Sequence, residues 1–136
     1  LLDTLGELGV GCIGFSPLAQ GLLTSKYLAG VPEGARVTRA PSLPQRMLSE
    51  DNLARIRALN EIASQRGQTL AQMAIAWVLR DVRVTSALIG ARTVEQLDDS
   101  LDAVKKLDFS ADELARIDTH ATDGDVDLWK VSSSIT

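Results

Sequence analysis

Two short apolar stretches, Val10 to Phe15 and Thr85 to Ile89, are the only segments of this chain that read as β-strands. The first is built from apolar residues and glycine with no polar alternation, the pattern of a strand covered on both faces. Gly11 and Gly14 allow close backbone approach within such a sheet. Ser16-Pro17 ends it, since proline offers no ladder donor and restricts its predecessor. Gly90 ends the second strand. Strands that alternate with helices imply a parallel α/β sheet. Two strands alone cannot satisfy their own edges or cover the helix faces described next. The remainder of the sheet is therefore expected from outside these residues.

The helices are marked by caps and periodicity. Leu1, Leu2, Leu5 and Leu8 share one face, and Gly9 occupies the place of a left-handed C-terminal cap. Ser49 is an N-cap followed by Glu50 and Asp51, where the helix dipole favours acids. Leu53, Ile56, Leu59 and Ile62 form the stripe of that helix, and Gly67 stops it. Thr69 with Gln72, Thr93 with Gln96 and Ser110 with Glu113 each read as a capping box. The helix after Thr69 carries Leu70, Met73, Ile75, Trp77, Val78 and Leu79 around most of its circumference, so it must be buried on more than one side. Val94, Leu97, Leu101 and Val104 mark a further apolar stripe, and Leu114 and Ile117 carry the last helix. Residues 17–48 are irregular and rich in Gly and Pro, a length usually tied to function or disorder. The chain opens at Leu1 inside what reads as a helix, and an N-terminal part is expected to be missing.

Several function classes are disfavoured. Against 14 Lys and Arg stand 18 Asp and Glu, a formal charge of −4, which argues against non-specific nucleic-acid binding. No run of about 18 apolar residues exists to span a membrane. The single cysteine, Cys12, excludes an internal disulfide and a multi-cysteine metal site, and fits a reducing, cytoplasmic setting.

Chemistry is suggested where the two strands end. Ile89-Gly90-Ala91-Arg92-Thr93 puts a glycine at a strand exit and an arginine just ahead of a helix N-terminus. Free N–H groups and the helix dipole favour an anion there, and Arg92 adds a planar fork suited to phosphate. The same spacing also suits an ordinary strand-to-helix turn whose arginine faces water. Ser16-Pro17-Leu18-Ala19-Gln20-Gly21, with Lys26 and Arg36 beyond it, supplies a hydroxyl, an amide and two cations in one loop. That set could cradle a polyphosphate or be merely a solvated loop. His120 reads as a surface residue, Tyr27 as a loop anchor, Trp77 as core and Cys12 as a small apolar filler.

These residues resemble a known family. Gly14-Phe15-Ser16-Pro17-Leu18-Ala19-Gln20-Gly21-Leu22-Leu23-Thr24-Ser25-Lys26-Tyr27 is similar to the seventh-strand signature of the aldo-keto reductases. Ala87-Leu88-Ile89-Gly90-Ala91-Arg92-Thr93-Val94-Glu95-Gln96-Leu97 is similar to their eighth-strand signature. The helix Leu70 to Leu79 and the tail Leu128-Trp129-Lys130 also look like the family, in particular a bacterial branch related to potassium-channel β subunits.

The resemblance implies that residues 1–136 are the C-terminal portion of a (β/α)₈ TIM barrel. They would supply strands seven and eight with flanking helices. It implies NADPH-dependent reduction of small aldehydes or ketones, with NADP(H) contacted by Ser16, Pro17, Leu18, Ala19, Gln20, Lys26 and Arg36 in the first loop. Gly90, Arg92, Gln96, Asp99 and Ser100 would contact it in the second. Arg92 stands where relatives often carry serine, and Ser100 where asparagine is common. The family's catalytic Asp, Tyr, Lys and His belong to earlier strands, so no catalytic residue is assigned here and the isolated chain is expected to be inactive. The alternatives are a regulatory, channel-subunit-like cofactor-binding protein or an inactive truncated product. Neither a metal nor nucleic acid is implied, and a homo-oligomer of the whole protein is left open.

Overall fold

The computed structural model describes residues 1–29 and 45–122. Arg36 and the Leu128-Trp129-Lys130 tail lie outside the described residues. In chain order the elements are α1 (Leu2–Glu7), β1 (Cys12–Phe15), α2 (Glu50–Gln65), α3 (Leu70–Leu79), β2 (Val84–Leu88), α4 (Val94–Leu101) and α5 (Ala111–His120). Short 3₁₀ turns cover Ala19–Gly21, Ser25–Tyr27, Gln45–Leu48 and Asp102–Lys105.

The chain is α/β, with β1 and β2 forming a parallel pair. Gly14 lies opposite Ala87 and Phe15 opposite Leu88, with an irregularity between Cys12 and Ile13. A parallel pair requires a crossover, and α2 and α3 lie within the connection. Helix α3 packs on β2, α2 and α4, while α5 packs on α2.

Local sequence explains most boundaries. Ser49 accepts the Asn52 N–H at 3.3 Å and starts α2. Gly9 and Gly67 adopt positive φ, 65° and 72°, and close α1 and α2. After α1 the Val10 N–H reaches the Leu5 carbonyl at 2.9 Å and the Gly9 N–H reaches Gly6 at 3.2 Å, the Schellman pattern. The boxes Thr69–Gln72 and Ser110–Glu113 are both complete.

At α4 the outcome differs from the pattern. Thr93 accepts the Gln96 N–H at 3.3 Å, but the Gln96 side-chain carbonyl accepts from the Arg92 N–H at 3.0 Å rather than from Thr93. The return bond thus lands one residue earlier and fixes the backbone of the Gly-Ala-Arg loop.

The core lies between α2, α3, α5 and the loop after β1. Leu53, Ile56, Leu59 and Ile62 are all buried as their spacing predicts, together with Leu70, Met73 and Ile117. Tyr27 is an anchor, 1% exposed, and packs with Met47 and Leu22. Trp77 is half-buried against this core, with the Arg80 guanidinium stacked on its ring at 3.7 Å. Arg66, 5% exposed, ties α2 to the segment before α5. It donates to Gln68 Oε1 and the Asp108 carbonyl, both at 2.9 Å, pairs with Glu113 at 2.7 Å and stacks on Phe109.

Two expectations fail in the same way. Strand β1 is not covered on both faces, since Ile13 and Phe15 are exposed, as is Leu88 of β2. The stripe Val94, Leu97, Leu101 and Val104 is exposed as well. Their apolar character fits a covered position, yet each is left at least 40% exposed in the described residues.

Candidate functional site

The residues following β1 and β2 meet in one cleft of about 1150 Å³. It opens beyond the carboxyl ends of the two parallel strands, where α/β folds place their ligands. Of the twelve residues predicted from sequence, ten line it: Ser16, Pro17, Leu18, Gln20 and Lys26 from the first loop, and Gly90, Arg92, Gln96, Asp99 and Ser100 from the second. Ala19 does not; it turns toward the hydrophobic core. Arg36 lies outside the described residues.

The first loop is held in an uncommon backbone. Ser16, Ala19 and Gln20 all have positive φ, at 54°, 46° and 57°. For side-chain-bearing residues each such position costs on the order of 1–3 kcal/mol and persists only where surrounding structure imposes it. Here the imposing contacts are visible. The Ala19 N–H bonds Ser16 O at 3.0 Å, and Gly21 and Leu23 both bond Leu18 O, at 2.8 and 3.2 Å. The Thr24 hydroxyl donates to Gly21 O at 2.7 Å and accepts from the Lys26 N–H at 3.3 Å. Leu22 and Tyr27 pin the loop into the core, so its polar atoms are presented from a fixed platform.

Two cations face the cleft without a carboxylate partner among the described residues. Lys26 has its ammonium 5.1 Å from the centroid of the Tyr27 ring, and among the described residues the Arg92 guanidinium makes no ion pair. Just inside α4, the Glu95 carboxyl is held below its ordinary pKa by its own backbone N–H and by the Thr93 hydroxyl. The first turn of this helix therefore already attracts negative charge, as free N–H groups at a helix start do.

Asp99 is the acid of the cleft, and it is tied down. Its Oδ1 accepts from Gln72 Nε2 at 2.8 Å. The Thr69 hydroxyl lies 3.4 Å from Oδ1 and 3.3 Å from Oδ2. Ser100 is buried, and its hydroxyl donates to the Gln96 carbonyl at 2.9 Å, back into its own helix.

Sequence reasoning missed the outer wall. Asn60, Ser64 and Gln68 line the cleft, with Thr69 at the N-cap of α3 and Thr24 and Ser25 in the first loop. A signal was available in the polar spacing of four at 60, 64 and 68, which puts these residues on one side of α2 and its exit. At the other ends of the strands lies a different cluster. Arg83 bonds Asp81, which it holds well below the usual carboxylate range, and reaches Asp3 of α1. That network joins α1 to the start of β2 and stays out of the cleft.

The chain that forms this cleft, with its two strand exits, a helix start and two cations unpaired among the described residues, has known relatives. The profile of the aldo/keto reductase family matches residues 1–122, and the chain belongs to that family. It is 55% identical over 137 aligned positions to the L-glyceraldehyde 3-phosphate reductase of Escherichia coli K12, and equally to that of Escherichia coli O157:H7. Each alignment covers 98% of this chain and 40% of the relative, so the chain spans well under half the length of either enzyme.

Proposed function

We propose that this chain supplies the NADP(H)-binding loops of an aldo-keto reductase that reduces small aldehydes or ketones to alcohols. In this reading β1 and β2 are strands seven and eight of a (β/α)₈ barrel. The earlier strands lie over the exposed Ile13, Phe15 and Leu88. The observation that carries the proposal is the convergence of Lys26 and Arg92, neither paired with an acid among the described residues, on one cleft at the strand ends.

The residues present fit the cofactor. A cleft of about 1150 Å³ has room for an elongated dinucleotide. Lys26 and the strained loop from Ser16 to Gln20 would hold the nicotinamide side and the pyrophosphate. Arg92 and the first turn of α4 would take the 2′-phosphate, with Asp99 at the adenosine end. When bound, the reduced nicotinamide supplies a hydride to the substrate carbonyl carbon.

The chain's own work is binding and orientation: two cations neutralise phosphate charge, and the anchored loop fixes the cofactor's approach. The proton for the developing alkoxide must come from a general acid, and neither Tyr27, which is buried in the core, nor His120 at the end of α5 lies in the cleft. By itself the 136-residue chain is therefore expected to be inactive. The relatives are named for L-glyceraldehyde 3-phosphate, and a small hydroxyaldehyde of that kind is the substrate to try first.

The test is equilibrium binding of NADPH and NADH to the full-length protein and to its Arg92→Ala variant. A hydrogen bond to a charged group is worth roughly 1.5–3 kcal/mol, so the variant should lose about ten- to a hundredfold for NADPH. NADH, which lacks the 2′-phosphate, should change little. Equal loss for both cofactors would refute the assignment of Arg92, and absence of nicotinamide nucleotide binding would refute the function.

A further inference from the structure

We propose that Gln72 is a positioning residue for the cofactor: from the first turn of α3 it holds the Asp99 carboxylate at the angle from which α4 presents it to the adenosine end of the dinucleotide. This inference rests on the reading of the cleft given above and adds a residue that touches no ligand.

The two ends of the Gln72 side chain do different work. Its Oε1 accepts the Thr69 N–H at 2.9 Å, closing the capping box. Its Nε2 donates to Asp99 Oδ1 at 2.8 Å, bridging to the neighbouring helix. An amide fixed at one end by a backbone N–H cannot turn freely, so its other end is a directed donor. The Thr69 hydroxyl lies near both Asp99 oxygens at 3.3–3.4 Å, a weaker and less selective contact. Oδ1 is thus firmly engaged, while Oδ2 carries only the longer Thr69 contact and keeps acceptor capacity, on a residue that lines the cleft.

A carboxylate beside a phosphate is repelled, so Asp99 must meet a donor. At the adenosine end of NADP(H) the donors are the adenine amino group and the free ribose hydroxyl. A carboxylate accepting from either gains affinity only if its position is set before binding, because ordering a side chain on binding costs affinity. Gln72 provides that order from α3, whose own position is fixed by packing on β2, α2 and α4.

The decisive variant is Gln72→Glu in the full-length protein. Glutamate serves as well as glutamine at this capping-box position, so α3 keeps its cap. It loses the donor to Asp99 and sets a second carboxylate beside it. NADPH affinity, measured by calorimetric titration near pH 8 at a temperature well below the variant's melting point, should fall by about tenfold or more. As pH falls, the paired carboxylates take up a shared proton at a raised pKa, and the protonated glutamate donates as the amide did. The deficit should then shrink toward about pH 5–6, a profile absent from the wild type.

Gln72→Ala should weaken NADPH by roughly three- to tenfold, and by less than about twofold when Asp99 is already alanine. Equal weakening in both backgrounds, or a Gln72→Glu variant that binds like wild type across this pH range, would overturn the inference. Wild-type protein that binds no NADPH would instead overturn the reading of the cleft, and this inference with it.

Discussion

Gly14 offers the sharpest test of how the cleft is built. It sits on β1 opposite Ala87, beneath helix α3. A Cβ added there would lie 2.6 Å from Val78 Cγ1 and 3.8 Å from the Ser86 carbonyl oxygen. Carbon atoms in contact sit about 3.5–4.0 Å apart, so Gly14→Ala demands a retreat of roughly 1 Å. The methyl it meets belongs to a β-branched residue within a helix, where one χ1 rotamer dominates and rotation carries strain. Overpacking of this kind costs about 1–3 kcal/mol. Against it stands about 0.4–1 kcal/mol from the reduced freedom of the unfolded chain. The net expectation is a destabilisation of about 1–2 kcal/mol.

Urea unfolding of the full-length protein measures it directly. The companion variant is Val78→Ala, which removes the obstructing methyl. If the clash is the cause, the double variant should be more stable than the sum of the single changes by about 1 kcal/mol or more. A Gly14→Ala protein that unfolds at the wild-type denaturant concentration, or strictly additive changes, would refute the reasoning. A second readout follows from geometry. Helix α3 carries Thr69 and Gln72 at its start, so a retreat of α3 should also loosen their hold on Asp99.

Other outcomes follow from the charge networks. Arg66→Ala should destabilise by about 3 kcal/mol, the lower end for breaking a buried pair, because Glu113 keeps the Ser110 N–H at 2.7 Å. Arg66→Lys should recover little in the same unfolding assay, since one ammonium cannot serve Gln68, Asp108 and Glu113 together. The Glu113 carboxyl is held below its ordinary value of 4.5, first by the Ser110 N–H and then by Arg66, with partial burial opposing. Its folded pKa is lowered, so its contribution is present in full above about pH 4.5 and lost as pH falls through the folded value. Stability measured from pH 6 to pH 3 should decline less steeply in Glu113→Gln than in wild type; parallel curves would contradict this.

The features legible in the sequence are those decided within a few residues. Caps at Ser49, Thr69 and Ser110 and the stops at Gly9 and Gly67 depend on local hydrogen bonds and on a single φ, and they stand where the residues suggest. The site was legible for a related reason. Strand exits in a parallel pair lie side by side, so two loops about 70 residues apart in sequence share a cleft once the strands pair. The positive φ values at Ser16, Ala19 and Gln20 were not legible, because nothing about serine, alanine or glutamine asks for them. They are imposed by bonds to Leu18 and by the burial of Leu22 and Tyr27. The same holds for Gln72. Its spacing from Thr69 announces the cap, but its second bond depends on the packing of α4 against α3.

The exposed apolar residues and the cleft are carried on the same pieces of backbone. Phe15 precedes Ser16 directly, Leu88 stands two residues before Gly90, and Val94 begins the helix that Arg92 approaches. Ile13, Phe15 and Leu88 are each more than half exposed, as are Val94, Leu101 and Val104. Exposed large apolar side chains gathered on a few elements mark surface to be covered. Whatever covers it must reach β1 and β2 just before they release the loops that line the cleft. In the proposed barrel the covering strands also carry the general acid, so one interface would both bury these side chains and bring the proton donor to the rim of the cleft. Hydride transfer and core completion would then depend on the same contact. Isolated pieces of such a protein would lose both together, even where a cofactor loop keeps its shape.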